Sequence, residues 1–491
     1  MNDYISLVSK VWNYAHVLRD QGIPYGDYLE QITYLLFLKM DDERENLLGE
    51  ASRVPAEWRW ARLRGLTGDE LELQYRHSLE ALARADGLLG TIFRKAQNKI
   101  QDPAKLRRLV ALIDDETWLA LKVDVKGAIY EGLLERQAAE VKSGAGQYFT
   151  PRPLIQAMVE VIDPRPGQTI HDPACGTGGF LLAAFDHMKA RTNDKGALHR
   201  LSHGALTGTD LVDEVVRLCA MNLYLHGIGG EESPVDQGDA LASDPGIRYD
   251  LVLTNPPFGK KSSYTIVGDD GQMHREVESY ERSDFRVTTS NKQINFLQHI
   301  MTILKVPGSA AVVLPDNVLF EGGAGEKIRR RLLDQFDLHT VLRLPTGIFY
   351  KPGVKANVLF FDKKEAAEKP WTKAVWFYDF RTNEHFTLKT NPLKREHLDD
   401  FVACYRPGER QARAATERFR RFSYDELIAR DKVNLDIFWL KDESLEDADG
   451  LPPPEEIAAE IIENLEAALE EFRGVAEELG AAEVGPGAGE P

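Results

Sequence analysis

Apolar side chains recur at helical spacing through the first 140 residues. The run Tyr28–Leu38 (YLEQITYLLFL) sets them three and four apart, and no Gly- or Pro-bounded strand run interrupts the region. This pattern predicts a helical domain over 1–140, and no chemistry is visible within it. Near residue 145 the texture changes. Short β-rich runs, Gln168–Asp172, Ala205–Asp210, Tyr249–Thr254, Ser309–Leu314, His339–Leu344 and Lys355–Asp362, then alternate with helical stretches such as Gly179–Arg191 and Asp213–His226. A β-α-β rhythm predicts an α/β fold with a doubly wound, mostly parallel sheet, whose ligands sit outside the carboxyl ends of the strands. The segment Phe258–Gln293 breaks the rhythm: it is polar, has few apolar anchors and reads as a long loop, either beside a site or simply on the surface.

After the prolines at 452–454, Ile461, Leu465, Ala468, Phe472, Val475 and Leu479 follow one another at intervals of 4, 3, 4, 3 and 4. That is a heptad seam on an acidic helix, suited to a partner helix or to packing back on its own domain. The expected units are therefore a helical domain over 1–140, a catalytic domain over 141–440, an acidic linker and coiled-coil helix over 441–480, and a disordered tail over 481–491, rich in Gly, Ala, Pro and Glu.

Charge changes this picture little. The chain carries a net −18, but residues 441–491 hold 16 acidic and 2 basic side chains, so −14 sits there and the body is near neutral. A body with that balance does not grip a nucleic acid strongly by itself. Three cysteines, Cys175, Cys219 and Cys404, show no zinc-like spacing, which fits a reducing cytoplasm and predicts no metal site. No run approaches the length of a membrane helix.

Four clusters end the predicted strands. Asp172-Pro-Ala-Cys-Gly176-Thr177-Gly178-Gly179-Phe180 is a glycine turn before a helix, but Leu181 stands where a dinucleotide fingerprint needs a third glycine, and no lysine completes a phosphate loop. An acidic residue before such a turn suits a cationic, phosphate-free ligand with an amino-acid moiety; an ordinary β-α turn is the plainer alternative. Asp210, in Gly208-Thr-Asp, can accept both hydroxyls of a ribose or cap a helix. Asp239, in Gly238-Asp-Ala, can accept an adenine amine. Asn255-Pro256-Pro257-Phe258 is the most specific cluster. Two prolines fix the backbone and remove two donors, leaving carbonyls to accept. An Asn carboxamide beside them converges with such a carbonyl on an NH2 group, and Phe258 offers a face to an extruded base.

These clusters resemble those of the amino-methyltransferases that modify adenine N6. The wider set, Gln147-Tyr148-Phe149-Thr150-Pro151-Arg152, Met221–Gly227, Thr289–Gln293, Leu344–Tyr350 and Gly353–Phe361, resembles the modification subunit of type I restriction–modification systems, over roughly residues 1–440. The resemblance implies a seven-stranded methyltransferase sheet with S-adenosylmethionine as cofactor. Gln147–Arg152 would close on its methionine end, Gly176–Gly179 would line its methionine and ribose, Asp210 would hold the ribose and Asp239 the adenine ring. It implies a flipped adenine of double-stranded DNA held by Asn255 and the Pro256 carbonyl, with Phe258 stacked on it and Phe349 or Tyr350 as the opposite wall. It also implies direct methyl transfer without a covalent intermediate, since no Pro-Cys pair supplies a nucleophile. The implied partners are a specificity subunit that chooses the DNA sequence, a second copy of the modification subunit and an ATP-driven restriction subunit. A glutamine-amide methyltransferase would carry Tyr in place of Phe258 and lack the helical domain; a subunit that kept only the fold would not need Asp172, Gly176, Asp210 and Asn255 intact.

Overall fold

The computed structural model describes residues 25–118, 150–259, 263–267, 273–277, 279–349, 353–388, 390–441 and 462. Gln147, Tyr148, Phe149, Tyr350, the heptad seam and the tail lie outside them. At the N-terminal side, helix Tyr25–Leu48 buries every residue from 31 to 40. It ends before Gly49, whose φ of +68° leaves the helical region. Helices Trp60–Gly65, Gly68–Ala83, Gly87–Ile92 and Pro103–Asp114 pack on it. The last starts as its sequence dictates, with Pro103 in the first turn and the Asp102 carboxylate accepting from the Ala104 amide at 2.8 Å. Their core includes Trp60, Tyr75, Phe93 and Trp118, and extends to Ala220, Met221, Tyr224 and Leu225 of helix Asp213–Leu225. The Arg44 guanidinium lies 4.4 Å from the Tyr224 ring centre and donates to the Tyr224 carbonyl at 2.7 Å. The helical unit is thus seated on a helix of the sheet domain.

The sheet domain contains β1 (Ile170–Asp172), β2 (Leu206–Asp210), β3 (Val235–Gln237), β4 (Tyr249–Thr254), β5 (Ser263–Val267), β6 (Met273–Val277), β7 (Leu304–Pro315), β8 (Phe336–Arg343), β9 (Ala356–Lys363), β10 (Ala374–Asp379) and β11 (Phe419–Ser423). Nine of them form one sheet in the order β11-β10-β8-β9-β7-β4-β1-β2-β3. The sheet is mixed: β9 runs antiparallel to both β7 and β8, and β11 antiparallel to β10, while the other neighbours are parallel. Among the described residues it has nine strands where seven were expected. The unforeseen members left little pattern: β3 has three residues, one of them buried, and β11 is an edge strand carrying exposed Arg420 and Arg421.

Alternation along the central strands separates two apolar layers. Leu251, Leu253, Ala311, Val313, Val358 and Phe360 join the core under helices Arg152–Ile162 and Gly179–Lys189. Val252, Val312, Leu359 and Phe361 join the core under helices Lys292–Ile303 and Ala324–Gln335. The expected loop Phe258–Gln293 contains an antiparallel hairpin, β5 with β6, before the chain enters helix Lys292–Ile303. Among the described residues no helix is long and apolar enough to cross a membrane.

One feature of the winding positions the site. The chain steps outward from β1 to β2 to β3, then returns to lay β4 on the other side of β1. Reversals of this kind open a crevice at the carboxyl ends of the two strands involved. Asp172 ends β1 and Asn255 follows β4, so the glycine turn and the proline turn emerge side by side there.

Candidate active site

The glycine turn is fixed by contacts packed closely around it. Asp172 is 1% exposed and accepts from the Ala174 amide at 3.1 Å. Burial pushes its carboxyl up to about 7, against the opposing pull of Thr254 and of that amide. His171 beside it supplies no counter-charge: it stacks on Tyr249 at 4.4 Å, and burial holds its imidazole down at about 4. Gly176 and Gly178 have φ of +53° and +85°, and Gly178 caps helix Gly179–Lys189. A Cβ on Gly178 would stand 2.9 Å from the Cys219 sulfur, and one on Gly179 2.9 Å from the Ile155 side chain, so both glycines serve close packing. Gly176 differs. Among the described residues, nothing lies within 4 Å of the place its Cβ would occupy, and the same is true of Gly238. These two glycines border open space.

The carboxylates at the following strand ends reach back towards the turn. Asp210 accepts from the Gly176 amide at 3.1 Å through Oδ2 and from the Val212 amide at 3.0 Å through Oδ1, and burial raises its carboxyl above the ordinary range. Asp239 accepts from the Leu241 amide at 2.9 Å, and its other oxygen accepts from the Tyr280 hydroxyl at 3.0 Å. Tyr280 arrives from the far side of the hairpin. Its segment is tied down by Arg282, which pairs with Asp284 at 2.7 Å and donates to the Ala240 and Leu241 carbonyls at 3.3 Å.

The proline turn is assembled from distant chain segments. Asn255 is half-buried, Pro256 buried, Pro257 exposed and Phe258 half-buried. The Asn255 carboxamide donates through Nδ2 to the Thr150 hydroxyl at 2.9 Å. The described part of Gln147–Arg152 therefore meets the proline turn: Thr150 on Asn255, then Pro151 and Arg152 opening helix Arg152–Ile162. The Phe258 carbonyl accepts from Gln293 Nε2 at 2.6 Å. Phe349 is 2% exposed and meets Phe258 edge-to-face, ring centres 5.7 Å apart at 78°. In this structure the two rings touch, with Phe349 packed edge-to-face on Phe258.

The described strand-end residues thus share one edge: Asp172 and Gly176–Gly179 after β1, Asp210 ending β2, Asp239 after β3 and Asn255–Phe258 after β4. Sequence reasoning passed over the supports. Asn222 is fully buried and donates to the Thr177 carbonyl at 2.9 Å, holding the glycine turn from helix Asp213–Leu225. Gln293 holds Phe258, and Tyr280 holds Asp239. Asn222 and Gln293 lie within Met221–Gly227 and Thr289–Gln293, so the motif match marked their segments but not their contacts. Tyr280 carried no signal, sitting in a polar stretch. Chemically, the edge offers a glycine turn bordering open space, three acidic side chains in a row and, one strand away, a rigid acceptor-rich turn beside an aromatic face.

Known proteins share this chain's sequence and fold. Residues 121–440 match the N-6 DNA methylase family and residues 7–114 the HsdM N-terminal domain. The chain is 39% identical to the EcoKI methylase subunit of a type I restriction enzyme from Escherichia coli K12, covering 97% of this chain and 96% of that one. It is 38% identical to the StySJI methylase subunit from Salmonella typhimurium over 97% of this chain and 95% of that one. Its structure resembles that of the EcoKI M protein (TM-score 0.54, 34% identity, 97% of each chain). It also resembles a modification subunit assigned to a type I restriction enzyme of Vibrio vulnificus YJ016 (TM-score 0.71, 27% identity, 88% of this chain and 94% of that one). The chain belongs to the N-6 DNA methylase family, among the methylase subunits of type I restriction enzymes.

Proposed function

We propose that the chain methylates adenine N6 in DNA with S-adenosylmethionine, as the modification subunit of a type I restriction–modification system that thereby protects host DNA. The observation that carries this reading is the adjacency of the glycine turn after β1 and the Asn255–Phe258 turn after β4 at the winding reversal. The residues present fit the cofactor. Gly176 and Gly238 border open space, so a ligand can approach the backbone there, and Asp172, Asp210 and Asp239 suit a cationic nucleoside free of phosphate. Gly176–Gly179 would line the methionine and ribose, Asp210 accept from the ribose hydroxyls, Asp239 meet the adenine ring, and the segment ending at Thr150–Arg152 close the methionine end. When bound, the cofactor supplies an electrophilic methyl group on a sulfonium.

The protein's own task is alignment. Thr150 takes the Nδ2 end of Asn255, which leaves the carboxamide oxygen as the acceptor for the target amine. That oxygen and the Pro256 carbonyl accept the two N6 protons, drawing the nitrogen lone pair out of conjugation with the ring. Pro256 and Pro257 hold this geometry without backbone donors that would compete for the acceptors. Phe258, touched edge-to-face by Phe349, gives the flipped adenine a face to stack on. Fixing the reacting atoms in line is the larger part of such catalysis.

The chain works with double-stranded DNA and other subunits: a separate specificity subunit that selects the sequence, a second modification subunit and an ATP-dependent restriction subunit. The near-neutral body supports delegated DNA recognition. The heptad seam at 461–479 is the proposed contact with the specificity subunit. To test the reading, the chain is co-expressed with candidate specificity proteins and N6-methyladenine is mapped in host DNA. Asn255→Ala or Phe258→Ala should abolish methylation while cofactor binding survives; near wild-type methylation in both variants would defeat the site assignment.

A further inference from the structure

We infer that Gln293 is a positioning residue for methyl transfer, setting the pose of the base-holding turn through the Phe258 carbonyl; this rests on the reading of Asn255–Phe258 given above. Pro256 and Pro257 have no N–H, so the turn cannot be fixed by its own amides at those positions. Gln293, 35 residues further along and 1% exposed, donates Nε2 to the Phe258 oxygen at 2.6 Å. Its own carboxamide is locked in turn. Gln293 Oε1 accepts from Asn317 Nδ2 at 2.8 Å, Asn317 Nδ2 also reaches Glu321 Oε1 at 2.9 Å, and Glu321 Oε2 accepts from Asn291 Nδ2 at 3.0 Å. Asn291 closes the ring by capping the Gln293 and Ile294 amides at 3.0 and 3.2 Å. Arg329, 1% exposed, fastens this ring to the fold by donating to the Glu321, Val318 and Val433 carbonyls. With Asn317 Nδ2 pointing at Gln293 Oε1, the amide orientation follows from the network, and the end facing Phe258 is a donor.

A glutamine that merely filled space would not depend on which atom it presents to Phe258. Gln293→Glu separates the two roles. It preserves size and the Asn317 contact, but when ionised it sets an acceptor against the Phe258 oxygen, and when protonated it regains a donor. Among the described residues, the Glu321 carboxylate is joined to that position through Asn317 and Asn291 and favours the protonated form, while Arg329 donates to the Glu321 carbonyl.

The experiment uses the co-expressed complex with its specificity subunit and a duplex carrying a mapped target, with and without 2-aminopurine in place of the adenine. Gln293→Glu should turn over about tenfold more slowly than wild type at pH 8, as loss of one buried donor implies. It should recover most of the deficit at pH 6, whereas Gln293→Met stays slow at both. The Kd of S-adenosylmethionine alone should remain within about twofold, as expected of a contact remote from the cofactor. The 2-aminopurine emission on binding should change in Gln293→Glu with the same pH dependence as its rate. Rates of Gln293→Glu that follow the wild-type pH profile, or cofactor affinity that falls in step with rate, would overturn the inference. Should Gln293→Glu not fold, Gln293→Met decides: slow turnover with intact cofactor binding supports it, wild-type turnover overturns it. If Asn255→Ala still methylates, the underlying site reading fails instead; if it is dead while the Gln293 variants run normally, only this inference falls.

Discussion

The two turns that meet at the winding reversal are built in opposite ways. The glycine turn after β1 is defined by crowding on many sides: the carboxylates of Asp172 and Asp210, the Asn222 carboxamide on the Thr177 carbonyl, the Cys175 carbonyl 2.8 Å from the Gly178 amide, and glycines that let Cys219 and Ile155 press against the backbone. The proline turn after β4 is stiff in itself, but its direction comes from Thr150 on one side and Gln293 on the other, 105 and 35 residues away. A flexible backbone needs close packing to define it. A rigid one needs only two fixed points, which long-range side chains provide.

Three experiments test this contrast, beginning with the largest effect. Asp172 has its carboxyl raised to about 7 in the fold, so its folded state favours the proton. The stability it contributes is whole below the unfolded value near 4 and is lost as pH climbs to about 7, up to about 4 kcal/mol. Asp172→Asn should therefore gain on wild type in thermal unfolding as pH rises from 5 to 7, with no further gain above that. A difference independent of pH would mean the turn's anchor is not a buried, protonatable carboxyl. Next, Gly178→Ala should cost about 1–3 kcal/mol in denaturant unfolding, from positive φ and the contact with Cys219. Adding Cys219→Ala should return part of that loss but not the backbone part; full recovery would show that φ was irrelevant. The smallest effect belongs to the other turn. Thr150→Val keeps the shape but removes the acceptor for Asn255, a loss of about 0.5–1.5 kcal/mol that should slow methylation roughly three- to tenfold. Unchanged initial rates would mean that the proline turn needs no outside support.

The same contrast explains what could be read from the sequence. Glycines at 176, 178 and 179 after a short β run announce a tight turn, because only glycine accepts that backbone and that crowding; the structure puts the turn at the end of β1. Asn-Pro-Pro-Phe was equally visible, but Gln293 and Thr150 were not, since nothing local distinguishes a glutamine that donates to a remote carbonyl from one facing water. The inner strands stood out as apolar runs, with β4 matching Tyr249–Thr254 to the residue. β3 and β11 escaped notice because a three-residue strand has too few positions for alternation and an edge strand carries polar side chains; β10, an apolar six-residue run inside the sheet, was legible and was passed over. The hairpin in 258–293 was missed because two five-residue runs, Ser263–Val267 and Met273–Val277, sit inside a stretch rich in Ser, Asp, Gly and Lys. The contact of Phe349 with Phe258 was not legible either, because proximity in a motif says nothing about which neighbour a ring packs against.

Strand β9 has a consequence for how the molecule comes into being. It is the wedge between β7 and β8, which do not pair with each other, so it closes one edge of each. As the chain leaves the ribosome, β1 to β4 and the glycine turn can assemble once about residue 254 is out, whereas β7 and β8 wait with open edges until residues 356–363 follow. Helix Lys292–Ile303, which carries Gln293, packs against the face of β7. The cofactor half of the crevice is therefore free to mature first, and the base-holding half joins it about a hundred residues later, during the interval when exposed strand edges make a nascent sheet most prone to mispairing.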